Sequence, residues 1–316
     1  MSSTRKQQKQ PYIPCKNGVS PSRVVMQPGD WLSCLDFLAE RIPAVSRDSW
    51  ENRIRQGEVL DETGRPITLN TRHQSGRKLY YYRYLEHEFH IPFEETVLYQ
   101  DDHLVVADKP HFLPVIPTGR YIQETLLVRL RRKLGIDTLS PVHRIDRETA
   151  GLVLFSVNPD ERDAYQKLFR TREVSKIYEA VACFQPRFVE PSVCRHQLLQ
   201  SAGNFMQMTV GDGAPNAETR VSVIQHNQMY AHYRLEPHTG RKHQLRVQMM
   251  AMDMPILNDR IYPVHLPEAV TEPMLEAEYR QPLQLLARSI VFTDPITGKA
   301  MAFSSHRELA EKDRAS

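Results

Sequence analysis

The chain has 316 residues, of which 41% are hydrophobic and 25% charged, which suits one sizeable domain or a small module attached to a larger one. Lysine and arginine outnumber aspartate and glutamate by only 41 to 38, so a site for a polyanion has to come from local clustering of cations. Four scattered cysteines, a polar N terminus and the lack of a long apolar run exclude a disulfide framework, a signal peptide and a membrane span, and predict a soluble, cytoplasmic protein.

The first part of the chain predicts a tail followed by a small module. Residues 1–28 are rich in lysine, arginine, glutamine, serine and proline, which is typical of a flexible basic tail. A helical spacing of leucines then ends at Pro43, and Ser46 is a suitable N-cap for a second short helix. The stretch "DETGRP" predicts a turn between two extended pieces. Two helices and a hairpin within residues 29–85 indicate an independent module.

The second helix of this module carries Arg47, Arg53 and Arg55, and "RHQSGRKLYYYR" follows with more cations and three tyrosines. Clustered cations beside aromatic rings suit an RNA backbone with exposed bases. The same pattern also fits a solvated helix face above tyrosines that fill a small core. These residues alone do not distinguish an RNA-binding surface from a solvated helix face.

Residues 86–316 have the pattern of a larger domain. Strand-like runs recur in "ETVLYQDDHLVVADKP", "LVLFSV", "KIYEAVACF", "RVSVIQH" and "MYAHYRLEP". Helices are predicted in "ETLLVRLRRKLG", "DERDAYQKLFRTRE" and "TGRKHQLRVQMMAMD". Strands outnumber helices and short turns join many of them, so we expect an α+β fold with a mixed, largely antiparallel sheet and flanking helices.

The stretch "HRIDRETAGLVLF" places a single carboxylate, Asp146, between Arg144 and Arg147 just before a buried strand. Positive charge nearby favours the ionised carboxylate. Taken alone, the stretch is better explained by an ion-paired loop, because such networks are much commoner than active sites. The chain has no phosphate-binding glycine loop, D-F-G or HExxH motif, so kinase, nucleotide-cofactor and zinc-hydrolase chemistry lack support.

Five motifs in order resemble those of the RluA family of RNA pseudouridine synthases, from about residue 97 to residue 305. They are "VVADKPHFLPV", "HRIDRETAG", "KIYEAVACF", "TGRKHQLRVQMMAMDMPILNDRIY" and "LQLLARSIVFTDPITGKAMAF". The resemblance implies the pseudouridine synthase fold and places the catalytic aspartate on Asp146. It puts the active-site tyrosine, which stacks on uracil and takes part in the final proton loss, on Tyr178, and the basic partner of the aspartate on Arg246. It implies neither a cofactor nor a metal.

The resemblance also implies contacts with RNA. Arg144 matches the family arginine that fills the stack when the nucleotide is flipped out. The further RNA contacts that we expect are Lys109, His143, Arg241, Lys242 and His243. The cations of the helix at 125–134 would line the RNA path or form a solvated face. Residues 29–85 resemble a degenerate form of the αL RNA-binding unit.

Several positions depart from the family pattern, namely Ile145, Ala150, Gln248, Asn258 and Leu286. None belongs to the expected catalytic set, so these changes bear on substrate fit. We expect a monomer that isomerises uridine in structured RNA, with large-subunit ribosomal RNA as the favoured target and transfer RNA as the alternative. An alternative of another class is a non-catalytic RNA-binding or ribosome-assembly protein.

Overall fold

The computed structural model describes residues 13–85, 87–203, 206–264 and 279–315. The chain divides into two compact units, Met1–Glu88 and Phe89–Ser316. Residues 1–12 of the predicted basic tail lie outside the described residues. In the described part of the chain, no helix has the length and apolar character needed to cross a bilayer.

In its described residues, the smaller unit packs two helices against a three-stranded antiparallel sheet of order β1-β3-β2. Its elements are β1 (Ser22–Val25), α1 (Cys34–Arg41), α2 (Arg47–Arg55), β2 (Val59–Leu60) and β3 (Lys78–Tyr81). Each helix begins after a serine whose hydroxyl accepts a backbone N–H, Ser33 for α1 and Ser46 for α2. Phe37, Leu38 and Trp50 are fully buried and form the centre of the core.

Two predictions for this unit are corrected by the structure. Residues 22–25, expected in a flexible tail, form β1, because their backbone groups pair with those of β3. Arg53, which both interpretations of the sequence placed on an exposed helix face, is only 6% exposed. Its guanidinium lies over the rings of Trp50 and Tyr84, at 5.2 and 4.3 Å from their centroids, so it belongs to the core of the unit.

The larger unit is built on an 11-stranded sheet whose main path has the order β10-β9-β11-β12-β8-β13-β7-β5-β4. The strands are β4 (Thr96–Gln100), β5 (Leu104–Lys109), β6 (Ser140–Pro141), β7 (Ala150–Ser156), β8 (Ser175–Cys183), β9 (Ser192–Gln200), β10 (Met208–Gly211), β11 (Ala217–His226), β12 (Tyr230–Pro237), β13 (Leu285–Thr293) and β14 (Ala300–Ser304). Only β7 and β13 pair in parallel among the described strands. The predicted mixed, largely antiparallel α+β arrangement is therefore confirmed.

Among the described residues, three α-helices accompany this sheet, α3 (Leu126–Leu134), α4 (Arg162–Arg170) and α5 (Gln244–Ala251). Thr125 caps the start of α3, and Gly135 ends it with a φ of 69°. The six residues 244–249 of α5 are all buried. Polar side chains are therefore carried into the interior, where each one needs a partner.

Two of the cations of α3 are structural, whereas the sequence predicted that they line an RNA path or form a solvated face. Arg129 and Arg131 are each 8% exposed. Arg129 donates to the carbonyl oxygens of Phe93 and Ile91, both at 2.7 Å, and Arg131 donates to that of Leu139 at 2.8 Å. Their charges satisfy buried carbonyl groups, so they are not available to phosphate.

Gly151 allows the central strands to approach closely. Its φ is 109°, and a Cβ atom at this position would lie 2.3 Å from the carbonyl oxygen of Ala287 on β13. Ala287 pairs with Gly151 on one side and with Tyr178 of β8 on the other. The register therefore brings the loop that precedes β7 towards Tyr178.

Candidate active site

Asp146 lies in the loop before β7, and its carboxylate meets an arginine from a distant part of the chain. Nη1 of Arg246 on α5 donates to Oδ2 of Asp146 at 3.3 Å. The Asp146 side chain is 26% exposed, whereas that of Arg246 is only 1% exposed. The carboxylate can thus reach a bound molecule, while the buried guanidinium stabilises its negative charge.

Arg246 is itself fixed by a second carboxylate. Its Nε and Nη2 donate to the two oxygens of Asp259 at 2.8 and 2.6 Å, in a bidentate pair. Asp259 also accepts the backbone N–H groups of Ile261 and Tyr262, at 2.8 and 3.0 Å. Burial disfavours the charged guanidinium, but Asp259 and Asp146 raise the pKa of Arg246 above its ordinary value. Arg246 is therefore permanently charged and rigidly oriented.

Glu148, in the same loop as Asp146, places a second carboxylate near Arg246. Oε2 lies 3.7 Å from Nη1 of Arg246, and Oε1 accepts from Nε of Arg147 at 2.8 Å. Burial opposes its ionisation, yet Arg147 and Arg246 hold the pKa of Glu148 at about 2. The flanking Arg147 thus pairs with Glu148, which corrects the expectation that the two neighbouring arginines hold Asp146 in its charged form.

Tyr178 is half-buried on β8, close enough to Asp146 for the charge of the carboxylate to affect ionisation of the phenol. Burial, followed by the negative charge of Asp146, raises the pKa of the Tyr178 phenol above its usual range. The phenol is therefore protonated at neutral pH. The structure brings together the three side chains for which the motifs predicted catalytic roles.

Two of the predicted RNA contacts, buried Lys109 and half-buried His143, have structural roles. Lys109 is fully buried, and its Nζ donates to the carbonyl oxygens of Pro110 and Arg147 at 2.9 and 3.0 Å. Nε2 of His143 accepts the N–H of Leu154 at 3.2 Å, and its ring stacks on Phe169 at 4.5 Å. Both groups support the loop that carries Asp146, and the buried ammonium group of Lys109 is not placed to bind a phosphate.

The other predicted RNA contacts divide into two groups. Arg144, Arg241 and Lys242 are exposed. His243 is instead part of the site, because its side chain is 9% exposed and its Nε2 lies 3.9 Å from Oδ1 of Asp146.

Sequence reasoning missed three residues that shape the site: Glu148, Asp259 and Tyr262. Each lies within one of the five motifs, in the stretches "HRIDRETAG" and "ILNDRIY", so the motifs contained them. The charge of Arg246 was a usable signal. A buried arginine that pairs with a catalytic carboxylate needs a second carboxylate to fix its position, and that predicts an acidic residue nearby in the motifs. Tyr262 also lies beneath Arg246, with the guanidinium carbon 5.6 Å from the ring centroid.

Comparison with known proteins identifies similar chains. Residues 103–251 match the family model described as RNA pseudouridylate synthase. The chain is 30% identical over 234 residues to the dual-specificity RNA pseudouridine synthase RluA of Haemophilus influenzae, covering 69% of this chain and 96% of that protein. It is 34% identical over 171 residues to the mitochondrial tRNA pseudouridine(32) synthase of Saccharomyces cerevisiae, covering 52% of this chain and 36% of that protein.

Two further comparisons concern a ribosomal enzyme and a solved structure. The ribosomal large subunit pseudouridine synthase D of Pseudomonas aeruginosa is 27% identical over 222 residues, covering 67% of this chain and 68% of that protein. The structure of human RNA pseudouridylate synthase domain containing 4 superposes with a TM-score of 0.52 at 27% identity. It covers 67% of this chain and 88% of that one.

Proposed function

Because the chain belongs to the RluA family of RNA pseudouridine synthases and is an isomerase that acts on RNA, we propose that its catalytic residues are Asp146, Tyr178 and Arg246. The reaction breaks the N-glycosidic bond of uridine, turns the base and joins its C5 to C1′ of the ribose. It consumes no water and leaves the oxidation state unchanged. The single observation that carries the assignment is the contact between Arg246 and the partly exposed Asp146 carboxylate.

Asp146 acts at the ribose of a nucleotide that is flipped out of its stack, at a cost of roughly a few kcal/mol. Its carboxylate attacks C1′ as a nucleophile or removes the C2′ proton as a base. Both roles require the charged form, which the buried Arg246 guanidinium stabilises. A protein that only binds RNA has no need of a partly exposed carboxylate held by a buried arginine, so this site favours catalysis over the non-catalytic alternative.

Tyr178 supports this chemistry as a stacking surface. Its raised pKa keeps the phenol protonated, which makes the hydroxyl a hydrogen-bond donor and opposes a phenolate as the base that removes the C5 proton. The ring offers a face on which uracil can stack. The proton leaving C5 then passes to another acceptor, and we propose the Asp146 carboxylate, whose charge acts on the Tyr178 phenol.

We propose large-subunit ribosomal RNA as the target. The relative from P. aeruginosa is named for the large ribosomal subunit, and the smaller unit of this chain offers exposed cations for a second contact with a large RNA. Transfer RNA is the second candidate, because the relative from S. cerevisiae is named for tRNA and the relative from H. influenzae for dual specificity.

Exposed arginines of the smaller unit support a role in RNA binding for residues 29–85. Arg41, Arg65 and Arg72 are exposed, and none of their guanidinium groups forms an ion pair with a carboxylate among the described residues. Arg47 and Arg55, by contrast, pair with Asp36 and Glu51. On the larger unit, the exposed residues proposed to contact RNA are Arg144, Arg241 and Lys242.

The activity is tested with transcripts that carry tritium at C5 of uridine. The wild-type chain should release tritium from a large-subunit ribosomal transcript, and Asp146→Asn should release none, because the amide cannot act as nucleophile or base. Equal release by the two proteins would refute the role of Asp146. Release from tRNA transcripts alone would replace ribosomal RNA with tRNA as the target.

A further inference from the structure

We infer that His243 is a positioning residue of the proposed active site, which donates a hydrogen bond from Nε2 to the Asp146 carboxylate while Tyr262 sets its tautomer. This inference rests on the proposed role of Asp146. It replaces the RNA contact that the sequence predicted for His243.

The backbone at His243 has the left-handed conformation, with a φ of 53° and a ψ of 19°, at the position just before α5. Its carbonyl oxygen accepts the N–H of Val247 at 3.0 Å, so the residue is held by the first turn of the helix. The imidazole bridges two groups of the site. Nδ1 lies 3.0 Å from the phenol oxygen of Tyr262, and Nε2 lies 3.9 Å from Oδ1 of Asp146.

Tyr262 determines which nitrogen carries the proton. Its phenol oxygen already accepts the N–H of Met208 at 2.8 Å. The phenol has one proton to donate, and its only other hydrogen-bond partner among the described residues is Nδ1 of His243. Donation from the phenol to Nδ1 is favoured, because a phenol is a far stronger acid than a neutral imidazole.

The protonation states of both rings agree with this arrangement. Burial raises the pKa of Tyr262 to about 12, so the phenol retains its proton. Burial lowers the pKa of His243 despite the opposing charge of Asp146, so the imidazole is neutral at neutral pH. A neutral imidazole that accepts at Nδ1 carries its proton on Nε2, which is the nitrogen nearer to Asp146.

Two donors therefore approach different oxygens of one carboxylate, Arg246 at Oδ2 and His243 at Oδ1. The His243 contact, at 3.9 Å, is longer than a hydrogen bond, and such catalytic contacts tighten when substrate binds. A neutral second donor orients the carboxylate without the further loss of basicity that a second full charge would cause.

Two substitutions of His243 separate the two ring nitrogens. His243→Gln keeps an amide N–H near the position of Nε2, whereas His243→Asn keeps a polar group only near Nδ1. Asparagine tolerates the left-handed backbone better than glutamine does, so a purely structural role would favour Asn. We expect Asn to lower kcat by about tenfold to a hundredfold at an unchanged KM, and Gln to recover most of that loss. Activity with Asn equal to or above that with Gln, at matched thermal stability, would overturn the inference.

The tautomer can be measured without any turnover. In the full chain labelled with ¹⁵N-histidine, the His243 signals are assigned by their loss in His243→Asn. We expect the chemical shifts of a neutral ring protonated at Nε2, and we expect Tyr262→Phe to move them towards a mixture of tautomers. A ring protonated at Nδ1 in the wild-type chain would refute the inference. If instead the wild-type chain isomerises no RNA, the proposed function fails while this measurement still decides the tautomer.

Discussion

Arg246 reaches Asp146 with only one of its three nitrogens, because the other two are bound by Asp259. The planar guanidinium is suited to this division, since its donors point along fixed directions. A lysine has one ammonium group and cannot keep both carboxylates at these distances. The identity of the residue therefore matters as much as its charge.

We predict that Arg246→Lys lowers kcat/KM by a factor of about 30 to 150, because the loss of a charge-assisted hydrogen bond at a reacting carboxylate costs about 2–3 kcal/mol. The measurement is tritium release from uridine transcripts at several RNA concentrations. The matched control is Arg195→Lys on β9, whose exposed side chain pairs with Glu218. Similar activity of the two variants would show that the bidentate pair has no role in orienting Asp146.

At the scale of elements, the parallel pairing of β7 and β13 depends on a single glycine. Gly151 has a left-handed φ and lies against the backbone of Ala287. A side chain at this position would therefore strain its own backbone and overlap with the backbone of Ala287. The pairing also fixes where the Asp146 loop ends relative to β8. A side chain at Gly151 is therefore expected to lower the stability of the larger unit and to disturb the site.

We predict that Gly151→Ala lowers the free energy of unfolding of the larger unit by about 2–5 kcal/mol, from left-handed strain of about 1–2 kcal/mol and overlap of about 1–3 kcal/mol. Urea unfolding should be followed by far-UV circular dichroism, because both tryptophans, Trp31 and Trp50, lie in the smaller unit. The control is Gly298→Ala, which has a φ of 72° and no neighbour within 4 Å of the added Cβ. Equal losses for the two variants would exclude overlap with β13 as the cause.

The smaller unit offers a second prediction at this scale. Arg65→Glu together with Arg72→Glu should weaken binding of the full chain to the RNA substrate and reduce the salt dependence of its affinity, because a protein that neutralises fewer phosphates releases fewer counterions on binding. Affinity is measured over a range of salt concentrations. Arg55→Glu is the control, since this cation pairs with Glu51. An unchanged salt dependence would remove the RNA-binding role proposed for residues 29–85.

At the scale of the whole molecule, a buried lysine makes stability depend on pH. Burial, opposed by Glu148 and Asp146, lowers the pKa of Lys109 to about 7, from a usual value of 10.5. Between these values the unfolded chain holds a proton that the folded chain does not hold. Stability from this group therefore rises as the pH increases from 7 towards 10.5.

We predict that wild type gains about 2–3 kcal/mol of unfolding free energy relative to Lys109→Met between pH 7 and pH 9, since each unit of pH contributes up to about 1.4 kcal/mol. Comparing the two proteins cancels the titration of the buried tyrosines. Urea unfolding of the larger unit at each pH provides the measurement. A constant difference between the two proteins would mean that Lys109 is charged in the folded state at all of these pH values.

Much of the molecule was predictable from local pattern. The N-cap Ser46, the helix that ends at Gly135 and the run of apolar residues in β7 depend on neighbours along the chain, so the sequence alone was sufficient. The strands β9 and β10 were not predicted, because they lie at one end of the main sheet and β9 exposes four of its nine residues. A strand with a partly polar sequence resembles a loop until its partner is known.

By itself, the sequence determined the family, the kind of reaction and the three residues proposed to catalyse it, because five motifs in order identify the family and the positions of its catalytic residues. Only the tertiary structure decided which charges meet. Asp146 pairs with an arginine 100 residues away and not with its two neighbours, and Lys109, Arg53 and Arg129 are buried although their positions suggested exposed cations. The physical reason is that ion pairing and burial depend on distance in space, which a linear pattern of charges does not contain.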